Sequence, residues 1–82
     1  VYHLNSKISL YPNPAHGFVQ LRGLDEAENI SVEIMDGTGR LVRQQKVMAA
    51  DPRLALVGLK PGVYFVHFKT NRNQFVKKLL VF

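Results

Sequence analysis

Apolar residues in this chain come in short runs that alternate in and out with a period of two, each stopped by glycine, proline or a polar cluster. That pattern suits strands and leaves no room for a helix with a buried stripe. The strongest run is Gly58-Leu59-Lys60-Pro61-Gly62-Val63-Tyr64-Phe65-Val66-His67-Phe68, a proline-glycine turn that launches the most apolar strand. Lys60-Pro61-Gly62-Val63 reads as a type II β-turn, because the Pro61 ring presets φ at the second position and Gly62 supplies the positive φ required at the third. Beyond the turn, Tyr64, Val66 and Phe68 fall on one face and Val63, Phe65, His67 and Lys69 on the other. The first face is wholly apolar, which marks a central strand with one side in a core.

The remaining segments are strands of matching size. Residues 1–7 form a polar lead-in, expected to be a linker remnant of a longer protein, and residues 8–82 form the folded unit. Ile8-Ser9-Leu10 is a short strand that Tyr11-Pro12-Asn13-Pro14 is expected to stop, since two prolines in three residues cannot donate to a ladder. Phe18 to Arg22 follows, with Val19 and Leu21 inward. An acidic loop covers residues 23–29. Ile30, Val32 and Ile34 then alternate inward up to Met35, and Asp36-Gly37-Thr38-Gly39 is a hairpin loop with two glycines. Leu41 to Val47 returns, Leu54 to Val57 is a fifth strand, and Thr70 to Asn73 turns the chain from the sixth strand into the seventh, Gln74 to Phe82. Seven short strands at roughly 8–12-residue spacing predict an all-β, antiparallel β-sandwich.

Eighty-two residues make one domain, and 46% hydrophobic content supplies its core without covalent staples. No run approaches the ~20 apolar residues of a membrane-spanning helix. Val1 opens no signal peptide, so export of this chain requires a signal on a longer parent. Residues 1–39 carry a net charge of −3, whereas residues 40–82 hold nine Lys and Arg against Asp51 alone. Most of these charges are spaced as on the wet faces of strands. Only Lys77 and Lys78 are adjacent, and no aromatic ladder of the nucleic-acid kind accompanies the basic residues, so no nucleic-acid partner is expected.

No catalytic constellation emerges. The absence of cysteine removes thiolate nucleophiles, thiolate metal sites and disulfides. Ser6, Ser9 and Ser31 have no nucleophile elbow around them. His3, His16 and His67 lack the spacing of helical zinc ligands. Gly37-Thr38-Gly39 precedes no helix that would cradle a phosphate, and Asp25, Glu26, Glu28 and Asp36 match no EF-hand loop. No cofactor or metal is expected, and the reading is of a non-enzyme. The last strand stands apart because Leu79-Leu80-Val81-Phe82 is apolar at both parities. It is either enclosed on both sides or offered to another protein, for instance by strand addition.

Four stretches occur together in order: Leu10-Tyr11-Pro12-Asn13-Pro14-Ala15; Ile34-Met35-Asp36-Gly37-Thr38-Gly39-Arg40-Leu41-Val42; Leu59-Lys60-Pro61-Gly62-Val63-Tyr64-Phe65-Val66; and Lys77-Lys78-Leu79-Leu80-Val81. The combination, from about Ile8 to Phe82, resembles the type A C-terminal sorting domain of the type IX secretion system. The resemblance implies an immunoglobulin-like sandwich attached to an N-terminal cargo, which it directs from the periplasm across the outer membrane to the cell surface or medium. It implies an outer-membrane translocon and a sortase-like cysteine peptidase as partners, with cleavage before or within residues 1–7. The matching positions are Pro12, Asn13, Pro14, Asp36, Gly39, Leu59, Gly62 and Tyr64, mainly architectural, while Lys77, Lys78, Leu79, Leu80, Val81 and Phe82 are the candidates for recognition. Pairing of freed domains through the last strand is a further expectation. The alternative reading is a surface adhesion or carbohydrate-binding sandwich that uses the basic half or exposed Tyr11, Phe18 and Phe65.

Overall fold

The computed structural model describes residues 9–23, 29–48, 50–70 and 74–82. The expected linker, acidic loop and final turn, with the carboxylates weighed for calcium at 25, 26 and 28, lie wholly or largely outside them. The described chain is all-β, with strands β1 (Ser9–His16), β2 (Phe18–Arg22), β3 (Asn29–Asp36), β4 (Leu41–Met48), β5 (Arg53–Ala55), β6 (Gly62–Lys69) and β7 (Gln74–Val81). Their order is β4-β3-β6-β7-β1-β2-β5. β1 divides this run into two facing sheets: its first residues pair antiparallel with β2 in the smaller sheet, and Ala15 pairs with Val81 of β7 in the larger. That last pairing is parallel; the other ladders are antiparallel.

The core follows the alternation read from the sequence. Val19 and Leu21, Ile30, Val32 and Ile34, Leu54, and Tyr64, Val66 and Phe68 are all buried, joined by Val47, Leu56, Phe75, Leu79 and Val81. Leu10, Val42 and Leu59 pack against this cluster from its margin. Because side chains alternate, Val63, Phe65 and His67 of the same central strand stand on the larger sheet's outer face, opposite Leu80, Lys78 and Val76.

Two local expectations are corrected. β1 does not stop at Leu10; it runs through both prolines to His16. The prolines are tolerated because the ladder changes partner there, between Tyr11 and Ala15, so neither missing N–H removes a rung of either sheet. The turn before β6 also lies upstream of its expected place. Leu59 N–H donates to the Leu56 carbonyl at 3.0 Å, and Gly58, with φ +88°, supplies the positive dihedral at the third position. Gly62 has φ +157° and opens β6 as the partner of Val81. The Lys60 carbonyl that a Lys60–Val63 turn would use accepts instead from the Tyr64 hydroxyl at 2.6 Å. A tyrosine near the start of this strand, tied back to the corner before it, is a hallmark of immunoglobulin-like sandwiches.

The β3–β4 hairpin is held by one carboxylate. Asp36 Oδ1 accepts from the Thr38 amide at 2.9 Å, the Thr38 hydroxyl at 2.6 Å and the Arg40 amide at 3.1 Å. The backbone closes with Asp36 N–H to Arg40 O and Gly39 N–H to Asp36 O, and Gly39 has φ +87°. This accounts for both glycines of the loop without a phosphate.

On the far side, β4 and β5 are the terminal strands of the sheet order and approach each other without a ladder. Side chains of β4 bridge the gap. The Arg43 guanidinium donates to Ala55 O at 2.7 Å and Val57 O at 2.6 Å. The Gln45 amide donates to Arg53 O at 2.9 Å, and its oxygen accepts from Ala55 N–H at 3.4 Å.

Tyr64→Phe removes one hydrogen bond and is expected to cost about 1 kcal/mol, whereas Tyr64→Ala opens a cavity and costs roughly 3–5 kcal/mol in denaturant unfolding. An unchanged stability in Tyr64→Phe would mean the corner bond contributes nothing. The Asp36 carboxyl is held below its ordinary range, first by the Thr38 hydroxyl and then by the Arg40 and Thr38 amides and the Arg40 charge. A lowered folded-state value gives stability that is present above the unfolded value and lost as pH falls through the folded one. The melting-temperature gap between wild type and Asp36→Ala is therefore expected to be widest at neutral pH and to shrink in acid.

Candidate recognition surface around the last strand

The site begins with a chemical problem in β1. Pro12 and Pro14 have no N–H, yet the chain between them must lie beside β7. Asn13 solves it with its side chain. Its Nδ2 donates to Lys78 O at 3.0 Å, and its Oδ1 accepts from Leu80 N–H at 3.1 Å. A carboxamide carries the same donor and acceptor as a peptide unit, so Asn13 fills the rung that its neighbours cannot. The ladder then continues through the backbone, with Phe82 N–H donating to Ala15 O at 2.9 Å. The His16 ring Nδ1 lies 2.9 Å from Phe82 O. Along its other edge β7 pairs with β6 at eight positions, from Gln74↔Lys69 to Val81↔Gly62.

The last strand is thus an interior strand, placed between β6 and β1. From Lys78 to Val81 it has a neighbour along both edges, β6 on one side and β1 on the other. What β7 offers is a face. Leu79 and Val81 are buried in the core, Leu80 is half-buried on the outer side, and Phe82 is 69% exposed. Lys78 is exposed on that outer side, opposite Phe65. Lys77 has the opposite parity, pairs with Val66 and is half-buried, where a long apolar stem can line the margin of a core.

The six residues singled out in the sequence therefore separate. Lys78, Leu80 and Phe82 share the outer side with Val63 and Phe65 of β6, and Met35 and Leu41 extend the same row across β3 and β4. The result is an apolar patch at one end of the larger sheet, with Lys78 at its edge. Sequence reading missed the contribution of β3, β4 and β6. Its signal was a second apolar parity in β6, where Val63 and Phe65 face away from the core. Toward the other end the patch gives way to polar rows, where Glu33 meets the Gln44 amide at 3.0 Å and the Lys69 ammonium at 3.3 Å. Those partners, Gln44 first, hold the Glu33 carboxyl below its ordinary range.

A family model described as a secretion system C-terminal sorting domain matches residues 9–82. The chain belongs to the type IX secretion C-terminal sorting domains. No curated protein matches it. The family is one of sorting signals rather than of catalysts, and it implies a cargo, the type IX machinery, and export toward the cell surface or the extracellular space.

Within this sorting domain the motif residues have physical tasks. Pro12, Asn13 and Pro14 carry β1 from one sheet to the other. Asp36 and Gly39 make the hairpin, Leu59 packs on the core margin and closes the Gly58 turn, and Tyr64 ties the corner. Gly62 starts β6 rather than shaping a turn. The aromatics considered for ligand binding do not share a face: Tyr11 and Phe18 lie on the smaller sheet and Phe65 on the larger.

Asn13→Ala removes a donor and an acceptor at once and is expected to destabilise the domain by about 1–2 kcal/mol. Asn13→Asp keeps only the acceptor, and its carboxylate would face the Lys78 carbonyl. In Asn13→Ala the Leu80 amide should exchange with solvent faster than the other amides of β7, whereas Asn13→Asp, which keeps the acceptor for that amide, should leave it better protected than Ala does. Uniform acceleration along the strand would disprove a local rung.

Proposed function

We propose that this domain directs a covalently attached N-terminal cargo through the periplasm and across the outer membrane by the type IX translocon, and that a sortase-like cysteine peptidase then cuts it off before or within residues 1–7. The single observation that carries the sorting role is the family match over nearly the whole chain. Residues 8–82 are read as the folded signal and residues 1–7 as the link to the cargo.

The outer row of the last strand supports a more specific reading, in which the machinery recognises the folded domain through a face. Lys78, Leu80 and Phe82, with Val63 and Phe65 beside them, leave an apolar patch open to solvent on a small domain, and such patches mark interaction sites. Leu79 and Val81 serve recognition only indirectly, by holding the strand in register against the core.

Residues 1–82 fused behind a signal peptide and a fluorescent reporter, in a bacterium with a type IX system, are expected to bring the reporter to the surface or medium with the domain trimmed away. A reporter retained in the periplasm with the domain folded and intact would refute the sorting role. Leu80→Asn combined with Phe82→Ser leaves the core residues untouched and should shift the reporter to the periplasm without a large change in melting temperature. Normal display of that variant would exclude the outer face as the recognition element.

A further inference from the structure

The opposite side of the sandwich carries a second organised surface. On the outer face of the smaller sheet, Tyr11, Gln20 and Arg53 stand in one row across β1, β2 and β5, with Ser9 and Arg22 in the row to one side and His16, Phe18 and Ala55 in the row to the other. Gln20 is central and half-buried. On one side of it the Arg22 guanidinium lies over the Tyr11 ring, 4.3 Å from its centroid, and on the other the Arg53 guanidinium lies over Phe18 at 5.1 Å. The rings are well exposed, Tyr11 at 54% and Phe18 at 41%. None of the eight residues in these rows is acidic.

Guanidiniums parked on aromatic faces lose less freedom on binding a ligand than unsupported lysines, and their edges keep N–H donors for anionic oxygens. Arg22 and Arg53 sit one strand and two residues apart, so their backbone positions are about 8 Å from each other. One extended polyanion can engage both. Since a guanidinium already covers a face of each ring, neither ring is the open stacking platform that single-stranded nucleic acid uses. What remains is a set of fixed cations, the Gln20 carboxamide, the Tyr11 hydroxyl and the exposed carbon edges of two rings, which matches a chain of acidic sugars. We propose that this face binds an acidic polysaccharide, with Arg22 and Arg53 on its carboxylates and Tyr11, Gln20 and Phe18 on the sugar units between them. The site is independent of the sorting surface, which lies on the other sheet.

The test titrates the whole chain with a short oligogalacturonate, following amide shifts and heat of binding at about 150 mM salt, where bare surface charge is largely screened. Shifts are expected to centre on Tyr11, Phe18, Gln20, Arg22 and Arg53. R22K/R53K keeps the charge but removes the planar fork and should weaken binding about ten-fold. Y11A/F18A keeps both arginines and should weaken it similarly by releasing them. K46Q/K60Q removes the same charge as an Arg-to-Gln pair from elsewhere on the surface and should change affinity by less than about two-fold. Melting curves confirm that each variant is folded. Equal weakening by K46Q/K60Q, no binding at this salt, or tighter binding of a single-stranded oligonucleotide than of the oligogalacturonate would each overturn the proposal.

Discussion

The junction of the two sheets rests on a side chain imitating a peptide. β1 must leave the smaller sheet and join the larger one, and the two prolines that let it change partner strip it of the donors it needs on arrival. The Asn13 carboxamide restores one donor and one acceptor where β7 presents a carbonyl and an N–H. Ala15 then resumes ordinary pairing and His16 reaches the last carbonyl. Without this rung, β7 would be held to β1 only at its end, through Ala15 and His16, and the strand between Lys78 and Leu80 would lose its partners on that edge.

The same device recurs at the opposite seam. Gln45 offers its carboxamide to Arg53 O and Ala55 N–H, and Arg43 covers the carbonyls of Ala55 and Val57. β5 is only three residues long and would otherwise present open backbone to any passing strand, which is how sheet edges seed aggregation. Two carboxamides and a guanidinium thus close the sandwich at the places where its ladders run out. Arg43 reaches its second carbonyl beside the tight turn at Gly58, whose Cβ position has the Arg43 head as a neighbour at 3.7 Å.

Most of the strand framework was legible because it depends on period-two burial, which composition and order carry directly. Ile30, Val32, Ile34, Val66 and Phe68 were assigned inward by parity, and they are inward. The hairpin at Asp36 to Gly39 was legible for the same local reason. What could not be read was long-range and made by side chains. Nothing near Asn13 in sequence announces Lys78 or Leu80 as partners, so the prolines looked like a stop. Pro61-Gly62 looked like a turn because turn chemistry is local, whereas the competing bond from Tyr64 to Lys60 depends on how the corner packs. Residues 77–82 are a contiguous run in the sequence, but a strand deals its residues to two faces. Lys77 and Lys78, adjacent in sequence, do not stand together.

The position of β7 in the sheet order links this signal to the integrity of the chain that carries it. A polypeptide broken off before residue 74 lacks the strand that separates β6 from β1, so both would keep raw edges. Asn13 would have no rung to fill, and the core would miss Phe75, Leu79 and Val81. Such a fragment is deprived of the outer row and of a closed fold by the same loss. The outer row of β7 and the closure of both sheets therefore stand or fall together.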